Sequence, residues 1–126
     1  MSKRISRNGI KNFDFGIWTK DVDFAITICD QDGLILGMND KSCKTFAKYG
    51  GSELLGESIF SCHPSGAQEK IRQIFSTHNP NVYTIEKDGQ KKLIYQAPWY
   101  EHGELRGLVE LSLVIPAEMP HYQRNA

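Results

Sequence analysis

Cys62 and His63 stand side by side and are followed by Pro64, a thiol and an imidazole in adjacent positions. A thiol next to an imidazole raises the question of a nucleophile and its base. Sequence neighbours rarely point at one another, however, and no Asp or Asn is evidently placed to orient the ring. An acyl-transfer centre is not expected, and the chain reads as a non-enzyme with no catalytic residues. His63 remains a candidate ligand contact, because neutral imidazole is a versatile hydrogen-bond or metal partner. The competing reading is a connector in which Pro64 sets the chain direction, Ser65 caps the next helix and His63 bonds a nearby carbonyl. Cys62, close to a helix N-terminus, is a candidate oxidant sensor, with quiet burial as the alternative.

His78 closes the same helix, where a cation interacts favourably with the exposed carbonyls, so a capping role accounts for it. Gln96 lies among Tyr83, Tyr95, Trp99 and Tyr100. A strand amide facing a pocket can hydrogen-bond a ligand, and an exposed position explains it equally well. The three cysteines, Cys29, Cys43 and Cys62, form no CxxC or paired-histidine pattern. Neither a zinc site nor a disulfide framework is expected, and a reducing, cytoplasmic setting fits.

The elements that position these groups follow from pattern. Phe24 to Cys29 reads as a strand, Asp32-Gly33 as a tight turn and Leu34 to Met38 as the hairpin partner. Asn39 is an N-cap for a helix bearing Cys43, Phe46 and Ala47, broken by Gly50-Gly51, and a second short helix is predicted over Ser52 to Ile59. Ser65-Gly66-Ala67-Gln68 matches a capping box, and Ala67, Ile71, Ile74, Phe75 and His78 share one face of the helix it opens. Val82 to Lys87, Lys91 to Tyr100 and Leu105 to Ile115 form an antiparallel meander with turns at Asp88-Gly89 and His102-Gly103. In its last strand the apolar set Leu105, Gly107, Val109, Leu111, Leu113 and Ile115 is expected to be buried, against a half-exposed set with Arg106, Glu110 and Ser112. The order of elements predicts an α+β fold, a five-stranded antiparallel sheet with helices massed on one face.

The chain has 126 residues, 15 Lys+Arg against 15 Asp+Glu, and 40% apolar residues, the profile of one ordinary domain. Zero formal net charge removes the footprint of a general nucleic-acid binder, and no apolar run approaches the roughly twenty residues of a membrane-spanning helix. Residues 1–20 divide into a basic arm with Lys3, Arg4, Arg7 and Lys11 and an apolar flank with Ile10, Phe13, Phe15, Ile17 and Trp18. Residues 21–116 form the domain and 117–126 a short tail. The tail holds no heptad or long helix that could relay a signal onward.

The stretch from Ile26 through Asp32-Gly33 to Asn39, the Leu54-Leu-Gly56 that follows, and the late hairpin from Tyr95 through Pro98 to Gly107 together resemble a PAS domain, a sensory module of signalling proteins. The Cys62-His63-Pro64 connector and Leu93-Ile-Tyr-Gln-Ala-Pro-Trp-Tyr100 resemble a bacterial subgroup. The resemblance implies a pocket between sheet and helices, which in different members holds heme, flavin, another small molecule or nothing. Cys62 is displaced from the family's flavin-adduct position and lacks its Asn, Arg and Gln neighbours, so flavin is not expected. Ile71, Arg72 and Gln73 stand where heme-binding members usually carry their axial histidine. That leaves the cofactor unassigned and His63 the heme-ligand candidate. Pocket candidates are Ile59, Phe60, His63, Ile71, Phe75, Tyr95 and Leu111; Phe13, Phe15, Ile17 and Trp18 are interface candidates for a homodimer. A ligand-binding sensory module is expected to act on a signalling partner in trans. The alternatives are a ligand-free dimerisation scaffold and a heme or redox sensor using His63 or Cys62.

Overall fold

The structure, a computed structural model, describes residues 16–125. These fold as strand β1 (Ala25–Asp30), β2 (Ile35–Met38), helix α1 (Asp40–Thr45), α2 (Ser65–Thr77), then β3 (Asn81–Lys87), β4 (Gln90–Glu101) and β5 (Glu104–Ile115). The strands form one antiparallel sheet in the order β2-β1-β5-β4-β3, so the first and last strands pair at its centre. The α+β reading and the five-stranded sheet are borne out.

Local chemistry explains the hairpins. Asp30 Oδ1 accepts from the backbone N–H of Asp32 and of Leu34, both at 2.9 Å, and Gly33 takes the positive φ of 84° that the β1–β2 turn requires. Asn39 caps α1 as expected, its Oδ1 accepting from Ser42 N at 2.9 Å. The same oxygen accepts from Ile26 N at 2.9 Å, while Nδ2 donates to the carbonyls of Thr19 and Phe24. One side chain therefore ties the helix start to β1 and to the segment that precedes it.

Three expectations change. The helix expected over Ser52 to Ile59 is replaced by 3-10 turns at Gly51–Leu54 and Ile59–Cys62. The residues between them pair with the β2 edge instead: Ile35 N donates to Glu57 O, Gly56 N to Ile35 O and Ile59 N to Gly33 O. A helix would forfeit those bonds. The capping box does not form either, because α2 is capped at Pro64 with no side-chain bond. Gln68 turns its amide outward to the carbonyls of Phe60 and His63, at 2.9 and 3.0 Å, and clamps the connector onto the helix.

The third change is the parity of β5. Leu108, Glu110 and Ser112 are the buried set, under the helices. The more apolar alternate set, with Val109, Leu111 and Leu113, lies on the other side of the sheet and is half-buried. The core beneath the helices is built from Cys29, Ile35, Leu54, Ile59, Ile71, Ile74 and Leu108, with Met38, Phe46, Phe60 and Phe75 packed around it. No described helix is long and apolar enough to cross a membrane.

Candidate functional site

Because β5 turns its even-numbered residues inward, Glu110 is placed beneath the helices at 4% exposure. Burying a carboxylate costs several kcal/mol unless hydrogen bonds replace its water. Two do so here. Gln96, paired with Glu110 across β4 and β5, donates from Nε2 to Glu110 Oε1 at 2.7 Å, and His63 Nε2 lies 3.2 Å from the same oxygen. Gln96 is itself held by Asn81, whose Nδ2 donates to its Oε1 at 2.9 Å.

The proton count of this network follows from its acceptors. His63 Nδ1 lies 2.9 Å from the carbonyl of Ile59, which can only accept, so Nδ1 carries a hydrogen. Nε2 and Glu110 Oε1 then need one proton between them, whether as imidazolium and carboxylate or as imidazole and carboxylic acid. Without that proton two lone pairs face each other.

The pair lines a cleft of about 170 Å³ between sheet and helices. Thr45, Phe46 and Tyr49 form its helical wall, Tyr83, Ile85, Ile94 and Ser112 its floor, and Lys87 and Lys92 its far end. The Phe46 ring sits 6.3 Å from the His63 ring at a tilted angle. Burial, and then the nearby Glu110 carboxylate, push the Tyr83 phenol above its ordinary value. Among the described residues no cluster of three or more His, Cys, Asp or Glu could hold a metal ion.

Of the seven pocket candidates named from sequence, His63 alone lines this cleft. Ile59 and Ile71 are fully buried core residues, with Phe60 and Phe75 packed against the same core. Arg72 places its guanidinium 4.5 Å from the centre of the Phe60 ring. Tyr95 and Leu111 pair with each other across β4 and β5 on the sheet's outer face, away from the cleft, a consequence of the β5 parity. Gln96 is neither exposed nor a cleft wall; both ends of its amide are spent on Asn81 and Glu110. His78 adopts a left-handed conformation at φ 64° and closes α2 through its backbone N–H to Ile74 O. Its ring meets Tyr100 edge-on at 5.9 Å. Ile17 and Trp18 are exposed, with Trp18 edge-on to Phe24; Phe13 and Phe15 lie outside the described residues.

Glu110 is the site residue that sequence reasoning missed, and it supplies the orienting carboxylate that Cys62-His63 lacked locally. It stands 47 residues from His63. The available signal was a charged residue amid the apolar run Leu108 to Val114.

No family model and no curated protein matches the sequence. Solved structures do. The chain is similar to a sensory box sensor histidine kinase from Vibrio cholerae, with TM-score 0.59, 15% identity, and coverage of 75% of this chain and 84% of that one. It is similar to the PAS domain of Bordetella pertussis BvgS at TM-score 0.61 and 19% identity, covering 79% and 82%. It is also similar to the Aer2 receptor from Vibrio cholerae, described as a dual PAS-heme oxygen sensor, at TM-score 0.55 and 16% identity, covering 74% and 95%.

Proposed function

The chain has the PAS fold, and from that premise we propose that it is a sensory module of a signalling system, binding a small ligand in the cleft beside His63 and Glu110. The observation that carries this reading is the buried His63–Glu110–Gln96 network at the cleft wall. That network brings convergent polar side chains to the wall of a cleft otherwise lined largely by aromatic and apolar groups, the arrangement typical of small-molecule sites. A ligand changes the output only if it binds two packings of the domain unequally. The outer sheet face, with Tyr95 and Val82 at 40% and 47% exposure, is the surface through which such a change would reach a homodimer or a signalling partner.

Heme is a poor fit to these residues. Both ring nitrogens of His63 are committed, to Ile59 O and to Glu110, and the cleft is smaller than the roughly 300–1,000 Å³ of ordinary small-molecule sites. A small polar molecule matches the lining better.

Native mass spectrometry and an absorption spectrum of freshly purified protein, followed by a metabolite screen read on backbone amide resonances, test the proposal. The expected result is a bound mass or a compound that shifts Tyr83, Ile94 and Ser112 together. If no adduct is present and no compound moves those resonances, the sensory reading fails in favour of a ligand-free scaffold. A scaffold would still show concentration-dependent dimerisation by light scattering.

A further inference from the structure

Glu110 makes uneven use of its two oxygens. Oε1 meets both Gln96 and His63, whereas Oε2 has no hydrogen-bond partner among the described residues, although the side chain is 5% exposed. A buried carboxylate oxygen left unpaired costs about 1–3 kcal/mol or more, and a donor brought by a ligand recovers it. The walls around it narrow the choice of donor. Phe46, Tyr49 and Tyr83 present aromatic rings to the same cleft. Such rings favour a cation over a neutral or anionic group. At the opposite end stand two ammonium groups, Lys87 and Lys92, which favour an anion.

Strand register sets the spacing between these ends. Lys92 pairs with Val114, four residues beyond Glu110 on β5, which is roughly 14 Å along the strand at ~3.4 Å per residue. A lysine side chain folding back spans about half of that distance, leaving the rest to the ligand. A cleft of about 170 Å³ has the room of about five or six waters at ~30 Å³ each, so the ligand is a small metabolite.

We infer that the cleft is a site for a small zwitterion with its charges at opposite ends, an ω-amino acid or a compound of that shape, its ammonium on Glu110 and its carboxylate toward Lys92 and Lys87. The inference rests on the reading of this cleft as a ligand site and adds the chemical class. His63 and Gln96 are positioning residues in it, since they hold Oε1 and leave Oε2 for the ligand.

The test titrates the isotope-labelled full chain with 6-aminohexanoate, hexanoate and n-hexylamine, reading amide shifts and thermal midpoint. The inference expects 6-aminohexanoate to move Tyr83, Ser112 and Lys92 saturably and to bind at least tenfold more tightly than either single-charge analogue. Glu110→Gln should weaken it at least tenfold. Lys92→Gln, at the cleft end and harmless to the core, should weaken it severalfold and bring its affinity toward that of hexylamine. Equal affinity for hexanoate and 6-aminohexanoate, or binding indifferent to both substitutions, overturns the zwitterion class. If 6-aminohexanoate moves nothing while another metabolite shifts the same resonances, the class falls and the sensory reading stands. If no compound moves them, both fall.

Discussion

Gln96 Nε2 donates to Glu110 Oε1 at 2.7 Å from a directly paired position on the neighbouring strand, so the two polar side chains beneath the helices brace each other. Gln96→Ala removes that donor and strands the Asn81 amide as well. It should cost about 1–3 kcal/mol in urea denaturation. Gln96→Glu places a second carboxylate against the first and should cost more at pH 7. The excess should shrink as pH falls and one of the two takes a proton.

His63 and Glu110 share one proton while Ile59 O holds the other on Nδ1. Imidazole nitrogen resonances should therefore show Nδ1 carrying its hydrogen in the folded protein. Glu110→Gln should leave that signature in place and move the Nε2 resonance, because Nε2 is the nitrogen that faces Glu110.

Burial, opposed in part by the Leu108 backbone hydrogen bond, pushes the Cys29 thiol from about 9 up to about 11. Between those values the unfolded chain loses a proton that the folded protein keeps. Stability should consequently fall as pH rises from 9 to 11, by about 2–3 kcal/mol, and be unaffected below 9. Tyr83, raised in the same direction, adds to the alkaline loss. Cys29→Ala and Tyr83→Phe should each flatten that limb of the stability curve. At pH 8 the folded protein should alkylate slowly at Cys29.

Gly107 sits where β5 passes the carbonyl of Cys29, to which the Trp99 indole donates at 3.1 Å. A Cβ at this position would overlap that carbonyl oxygen and lie 2.8 Å from Trp99 Nε1. Gly107→Ala should cost about 3 kcal/mol or more. Trp99 fluorescence should report the displaced indole in the folded state.

Asn39→Ala should cost about 2–4 kcal/mol, beyond an ordinary cap, because it also frees Ile26 N and the carbonyls of Thr19 and Phe24. Asn39→Asp keeps both accepted bonds and loses the donated ones. Its thermal midpoint should fall between those of the parent and the alanine variant.

The parts of this protein that its sequence determined are those governed by neighbours along the chain. Asp30 and Gly33 make their turn within four residues, Asn39 caps the helix it precedes, and alternation along β3 to β5 predicts the meander. Tertiary structure alone decided which way β5 faces. Alternation defines two sets of residues but not which is inner, and the more apolar set pointed to the wrong side. The inner face is chosen by what packs on it: Ile71 and Ile74 of α2 join Leu108 in one core, and Glu110 follows Leu108 inward at the same parity. The His63–Glu110 pair belongs to that second kind. His63 was legible as a candidate, but its partner lies on the central strand, brought near only when the sheet closes over the connector. No local spacing records a contact made by two elements meeting in space. The chemistry of the cleft is therefore a property of the fold, written with residues that look ordinary one at a time.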